Sequence, residues 1–456
     1  MRILLISLIL ALAACTQAER TEVTKASPLD PTRLADLPAM RSFSTQTVSA
    51  PTRSNAGIAA DFMDLEFSLE SGRKLPVLTR FDGPVTVALQ GDVPPTASAD
   101  LGRVMARLRS EAGINVSSAT GANASIHIEF LPRKRMQAIV PTAACFVAPR
   151  VTSWAEYRKS RKSGVLDWTT LTRREQLAIF VPSDTSPQEV RDCLHEELAQ
   201  ALGPLNDLYR LPDSVFNDDN FQAVLTGFDM LILRMHYSPE LQNGMTAADV
   251  KSRVPTLLAK LNPRGEFGGS GSFDATPRLW IDQIEAALGP KGVDGARLRA
   301  AEQALGLAKA EGWADNRLAF SYFAVGRLNL NKDLPRAVAA FTKATQLYRT
   351  LPDGPVHTAH VDMQMAAFAL SSGQPDATIA LANAAIPVAM RAQNAALLAT
   401  FMLLKAQALD QLGRADEAQA VRLDSLGWAR YGFGSDQDVR KRIADIAALL
   451  PGQIGG

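Results

Sequence analysis

Ser186-Pro187-Gln188-Glu189-Val190-Arg191-Asp192-Cys193-Leu194-His195-Glu196-Glu197-Leu198-Ala199-Gln200-Ala201-Leu202-Gly203-Pro204-Leu205-Asn206-Asp207 is the stretch on which the fold turns. Ser186 with Glu189 three residues later is a capping-box start, in which the serine hydroxyl accepts from the backbone N–H of residue 189. Pro187 suits the first helical position, where its missing N–H would have no partner anyway. The spacing predicts a helix over residues 187–202, ended by Gly203. Just upstream, Leu177-Ala178-Ile179-Phe180-Val181 is an unbroken apolar run, as expected of a strand buried on both faces. Earlier still, Val85-Thr86-Val87-Ala88-Leu89 alternates after a Phe81-Asp82-Gly83-Pro84 turn, and Ile126-His127-Ile128-Glu129-Phe130 alternates again. Between those two strands, Leu101, Val104, Met105 and Leu108 mark one face of a helix over residues 100–112. Strand, helix, strand, strand and long helix make an α+β order. A second helix is predicted over residues 221–237.

The long helix carries a histidine–glutamate pair, His195-Glu196, which invites a zinc reading. A zinc-protease helix needs a second histidine four residues on, and residue 199 is alanine. Shifted by one residue, Glu196-Glu197-x-x-Gln200-x-x-Gly203-x-x-Asn206 resembles the metzincin signature, so the region is similar to a zincin-type α+β domain. The resemblance implies metal-ligand positions at Glu196, Gln200 and Asn206, with Glu197 where the general base would stand and His195 and Asp207 beside them. Ser214-Val215-Phe216 resembles the Met-turn segment with Phe216 in place of methionine, and residues 225–237, with Asp229, resemble the closing helix of matrixin-type domains. More widely, residues 191–207, 213–218 and 225–231 resemble an uncharacterised proteobacterial lipoprotein family known as a domain of unknown function, over about residues 60–264. That resemblance implies a fold and a compartment but no activity. Oxygen ligands suit calcium, magnesium or manganese better than zinc, and a tight catalytic zinc site without imidazoles is not expected. Glu197 could serve as a base if burial raised its pKa. The favoured reading is that Glu196, Glu197, Gln200, Asn206 and Asp207 form a buried hydrogen-bond network, with no cofactor; a divalent metal is the alternative.

At the N-terminus, Arg2 precedes a mostly apolar run from Ile3 to Ala14, the pattern of a secretory signal. The run is too short for a permanent span, which needs about 20 apolar residues. Leu12-Ala13-Ala14-Cys15 resembles the bacterial lipobox, which implies cleavage before Cys15 and acylation of that cysteine. Thr16, in place of an aspartate, implies sorting to the outer membrane. The expectation is a lipid-anchored envelope protein facing the periplasm. Loss of residues 1–14 removes Arg2 from 48 basic residues, leaving 47 against 47 acidic ones. A neutral chain has no electrostatic reason to bind nucleic acid. Cys145 and Cys193 then remain in a compartment where disulfides persist. Pairing them is the simplest arithmetic, and two separately buried thiols is the alternative.

Residues 15–57, rich in Ser, Thr, Pro and Ala, read as a flexible tether. The α+β domain is placed at 58–264 and a glycine-containing linker at 265–278. Residues 279–456 are alanine-rich and helical. Within them residues 332–337, 373–378 and 413–418 repeat one turn-plus-helix-start, 41 and 40 residues apart (373 minus 332, 413 minus 373). Residues 408–418 resemble a tetratricopeptide repeat, and Ala337, Phe341 and Ala344 fit its small–aromatic–small packing positions. The period exceeds the usual 34 and the first-helix tryptophan is absent, so the array is tetratricopeptide-like. That resemblance implies a protein or peptide partner on a concave face. His357 and His360, three residues apart, read as solvated surface, and the basic run at residues 158–162 as an exposed loop. The expected function is a protein-binding scaffold or adaptor, the alternative a divergent metal-dependent hydrolase using Glu196, Glu197, Gln200 and Asn206.

Overall fold

Strands β1 (Val85–Gly91), β2 (Val116–Ser118), β3 (Ile126–Leu131), β4 (Phe146–Pro149) and β5 (Leu177–Pro182) form one sheet in the order β2-β1-β3-β5-β4. All neighbours are parallel except β4, which runs antiparallel to β5 at the edge. The computed structural model describes residues 37–44, 50–121, 123–217, 219, 221–267, 274–289, 292–352 and 354–449. The expected signal peptide (1–14), the lipidation residue Cys15 and the core of the expected linker (268–273) lie outside them.

Side chains alternate across a strand, and here both faces are covered. Ile126, Ile128, Ile179 and Val181 enter the main core with residues of α1 (Asn55–Glu66), α2 (Ala97–Ala112), α5 (Pro187–Leu202), α6 (Gly227–His236) and α7 (Ala247–Leu261). Leu131, Ala178 and Phe180 face a smaller core made with Met136 of α3 (Arg133–Gln137) and Trp154 of α4 (Trp154–Ser160). Two-sided burial explains why β5 reads as an unbroken apolar run. The Ser186 hydroxyl accepts from Glu189 N at 3.1 Å, so α5 starts and ends where the sequence predicts. The Glu189 carboxylate, however, turns to Arg133 and Thr185 rather than back to its own cap.

Cys145, just before β4, is joined to Cys193 on α5, and their Cα atoms are 6.0 Å apart. The bond closes a long loop and ties the antiparallel edge of the sheet to the middle of the long helix.

Beyond the sheet domain the described chain is helical. Helices pair as antiparallel hairpins: α8 (Arg278–Leu288) with α9 (Asp294–Ala310), α10 (Asn316–Asn329) with α11 (Leu334–Tyr348), α12 (Pro355–Ser371) with α13 (Pro375–Arg391), and α14 (Ala395–Gln411) with α15 (Ala415–Phe433). A final helix, α16 (Asp436–Ala447), covers the end. The three repeated sequence segments are the hairpin turns. Gly373 and Gly413 sit there at φ 69° and 73°, the left-handed region that favours glycine. Ala337, Phe341 and Ala344 are buried, and a Cβ at Gly326 would come within 2.7 Å of the Phe341 ring. Among the described residues no helix is long and apolar enough to cross a membrane.

The structure differs from the sequence expectation at three boundaries. Helix α1 begins at Asn55, capped by Ser54, so folded structure starts inside the span expected as tether. Residues 37–44 of that span lie on α15: Phe43 stacks on Trp428 at 4.7 Å, and Arg41 N donates to Gly427 O at 3.0 Å. The helix expected over 221–237 starts only at Gly227, because Thr226 and Asp229 form a reciprocal capping box there.

A disulfide stabilises chiefly by restricting the unfolded chain, and for a sequence separation of 48 the loop-entropy relation gives about 4 kcal/mol. Replacing both cysteines by serine is expected to lower unfolding stability by about 2–4 kcal/mol. Denaturant titration of the two proteins without reductant checks this.

Candidate functional site

The resemblance places the site at the C-terminal half of α5 and the chain that follows it. The sharp reversal is built around Gly203, where a Cβ would meet Leu233 Cδ2 at 3.1 Å. A side chain at this position would require Leu233 of α6 to give by a few tenths of an ångström. The turn is held by Arg174, whose guanidinium donates to Gln200 O at 2.7 Å, to Ala201 O at 2.8 Å and to Gly203 O. A helix end leaves its last carbonyls without internal partners, and a buried cation satisfies them here.

After the reversal, Asp207 returns to the helix and accepts from Gln200 Nε2 at 3.3 Å. Asp207 also hydrogen-bonds the Glu70 carboxyl; desolvation pushes that carboxyl above its ordinary value and the bond offsets part of the rise. Asn206 does not join them. Its Nδ2 donates to the Asp64 carbonyl of α1 at 3.0 Å. Glu197 and Gln200 are buried, whereas Glu196 and Asn206 are half-buried. For a divalent ion to be held, Glu196, Gln200 and Asn206 would have to turn oxygens to one point. The amides of Gln200 and Asn206 are engaged in different directions, and among the described residues no group of three His, Cys, Asp or Glu side chains is placed to hold a metal. The two amide nitrogens are thus spent on different protein acceptors.

The segment likened to a Met-turn is fixed by Asp229. Its carboxylate accepts from Ser214 Oγ at 2.5 Å, Val215 N at 3.3 Å and Thr226 N at 2.7 Å. Burial pushes this carboxyl up, and those donors pull against the shift. Phe216 is fully buried, and its carbonyl accepts from Leu208 N at 2.9 Å. Thus the Phe216 segment and the chain after Gly203 are bonded to each other.

His195 is buried on α5, where it lines a cavity against α2 and α15. Leu225 N donates to its Nδ1 at 3.1 Å. Burial holds its pKa well below 6.5, and Arg191, Arg107 and Arg103 push it further down.

Several functional-looking contacts escape the sequence reading. Arg210 joins Asp61 and Asp64 at 2.8 Å each, and His236 Nδ1 lies 2.8 Å from Glu66 Oε1. His357, expected as solvated surface, is fully buried, with Nε2 3.0 Å from Asp219 Oδ2 of the sheet domain. His360 stacks on Phe221 at 4.5 Å. Their three-residue spacing marks a helix face but does not say that a domain covers it.

Comparison with known proteins adds one result. Residues 55–256 match the model of a family described as "Protein of unknown function (DUF2927)". The matched span runs from the first residue of α1 into α7, so it takes in the sheet and the α5–α6 region and stops before the helical hairpins. No curated protein and no solved structure matches the chain.

An imidazole whose folded pKa lies below its unfolded value takes up a proton more readily in the unfolded chain. Its contribution to stability is therefore whole above about pH 6.5 and is lost as the pH falls below that. As the pH falls from about 7 to 5, a His195→Gln variant is expected to lose less stability than the parent. Denaturant midpoints of both proteins at the two pH values test this; equal losses would refute it.

Proposed function

We propose that this is a lipid-anchored envelope protein that binds another protein through its helical hairpins, and that its metzincin-like domain is a rigid, non-catalytic support. What supports this most is the commitment of the Gln200 amide to Asp207 and of the Asn206 amide to the Asp64 carbonyl. At these two positions the resemblance puts metal ligands, and here the side chains tie a helix end to the chain around it. The mixed sheet and the long capped helix with a tight glycine reversal support the metzincin-like reading of the domain. The hairpin array supports the partner-binding reading, since stacked helix pairs present an extended surface. Anchoring through acylated Cys15, on the periplasmic side of the outer membrane, rests on the Leu12–Cys15 pattern alone.

The sheet domain and the hairpins share a core. Tyr209 and Phe221 pack with Trp280, Phe320 and Phe323. Removing the array would strip that core, so the test uses point variants in the whole chain. Metal analysis of protein purified without chelator is expected to find no stoichiometric divalent ion. A Glu196→Ala/Gln200→Ala variant is expected to retain the partner recovered with the parent chain. A stoichiometric metal that disappears in that variant, or metal-dependent cleavage of a diverse peptide pool, would overturn the proposal in favour of a hydrolase.

A further inference from the structure

We propose that the cleft between α2, α5 and α15 is a binding site for a small oxyanion, a carboxylate or phosphate group. This inference stands apart from the reading above, because Glu196, Glu197, Gln200 and Asn206 do not line the cleft. The cleft holds about 140 Å³ and is walled by Arg103 and Arg107 of α2, Arg191 and His195 of α5, Tyr431 of α15, and Phe43 of the strand-like segment that lies on α15. A water needs roughly 10–15 Å³ of such space, so a group the size of a carboxylate or phosphate fits with water to spare.

The wall is rich in hydrogen-bond donors. His195 is 4% exposed, and its Nδ1 accepts from Leu225 N. A neutral imidazole that accepts at one nitrogen carries its proton on the other, so Nε2 is a donor. Among the described residues nothing accepts from it. A guanidinium has five N–H groups. Arg191 uses one each from Nε and Nη2 on Asp192 and one from Nη1 on the Gln393 carbonyl. Arg103 gives one to Asp100. Of the wall's carboxylate oxygens, both of Glu111 take Arg107 and Asp100 Oδ1 takes Arg103 and the Tyr431 hydroxyl, while Asp100 Oδ2 has no partner among the described residues. The remaining N–H groups of His195, Arg191 and Arg103 outnumber that one carboxylate oxygen around a small, half-enclosed space, which favours an acceptor-rich group. Planar guanidinium forks favour carboxylate and phosphate in particular. Each arginine also has a carboxylate neighbour, so the selectivity comes from oriented N–H groups rather than from net positive charge.

The site would be assembled by both domains, since Tyr431 comes from the hairpin array and the arginines from the sheet domain. Phe43 stacks on Trp428 and lies under the Arg191 guanidinium at 5.8 Å, closing one side with an apolar wall. Such a wall suits the short apolar tail of a carboxylic acid, whereas a free phosphate would need none.

The test is titration of the purified full-length protein, ¹⁵N-labelled at histidine, with inorganic phosphate and separately with butyrate. Saturable binding that shifts the His195 Nε2 resonance is expected with at least one of them, and the stronger binder identifies the source. Arg103→Ala, at a half-exposed position, is expected to weaken that binding at least tenfold with the fold retained, and His195→Phe to weaken it similarly. If neither probe moves the His195 signal, or if binding is unchanged in Arg103→Ala and in a folded His195→Phe variant, the proposal fails.

Discussion

The buried Arg174 guanidinium at the end of α5 is the contact around which the sheet domain is organised. It arrives from the loop before β5, and its N–H groups reach three consecutive-turn carbonyls of the helix end and the reversal. Burying a cation is costly unless it is fully bonded, and burial does push this group's pKa down. The compensation is that a positive charge sits at the negative end of the helix dipole, with Trp168 against it at 5.5 Å. Because the helix end is held, Gly203 can turn the chain sharply. Asp207 then meets Gln200, Asn206 meets α1, and the Phe216 segment meets Leu208. Each later contact depends on that reversal having one geometry.

What could be read from the sequence was local. The start of α5 is visible because Ser186, Pro187 and Glu189 specify a cap within four residues, and β5 because burial on both faces leaves an apolar run. Strands β2 and β4, three and four residues long, carry too few side chains to show a period. They exist because β1 and β5 offer unpaired edges to them, which is a property of the assembled sheet. The same limit applies to side chains. Arg174 sits in Arg173-Arg174-Glu175, which reads as exposed loop, and nothing nearby announces a helix end 26 residues later. His357 looked like surface because its covering partner, Asp219, is 138 residues away in the chain.

The two halves of the protein are not beads on a string. Gln188, in the first turn of α5, bonds both Asn394 and the Ala396 N–H at the start of α14, and Arg191 reaches the Gln393 carbonyl. Tyr431 of α15 donates to Asp100 of α2 at 2.9 Å. The helix that carries Glu196, Glu197 and Gln200 therefore has its N-terminal turns fixed by the hairpin array and its C-terminal end fixed by Arg174. A repeated turn motif reveals the array, but not that its last hairpins are spent partly on the sheet domain. Only the surface left over can serve a partner.

This double clamping constrains the side chains at residues 196–206. A metal site in which three side chains converge needs them held by neighbours that leave their ligating atoms pointing inward. Around Gln200 and Asn206 the neighbours bond the side-chain amide nitrogens, joining a helix end to Asp207 and to α1. Amides suit this use well, because one group can donate and accept at once, whereas an imidazole at residue 200 or 206 would present a different shape and one donor fewer. Glutamine and asparagine at those positions therefore supply bonds that stabilise the reversal.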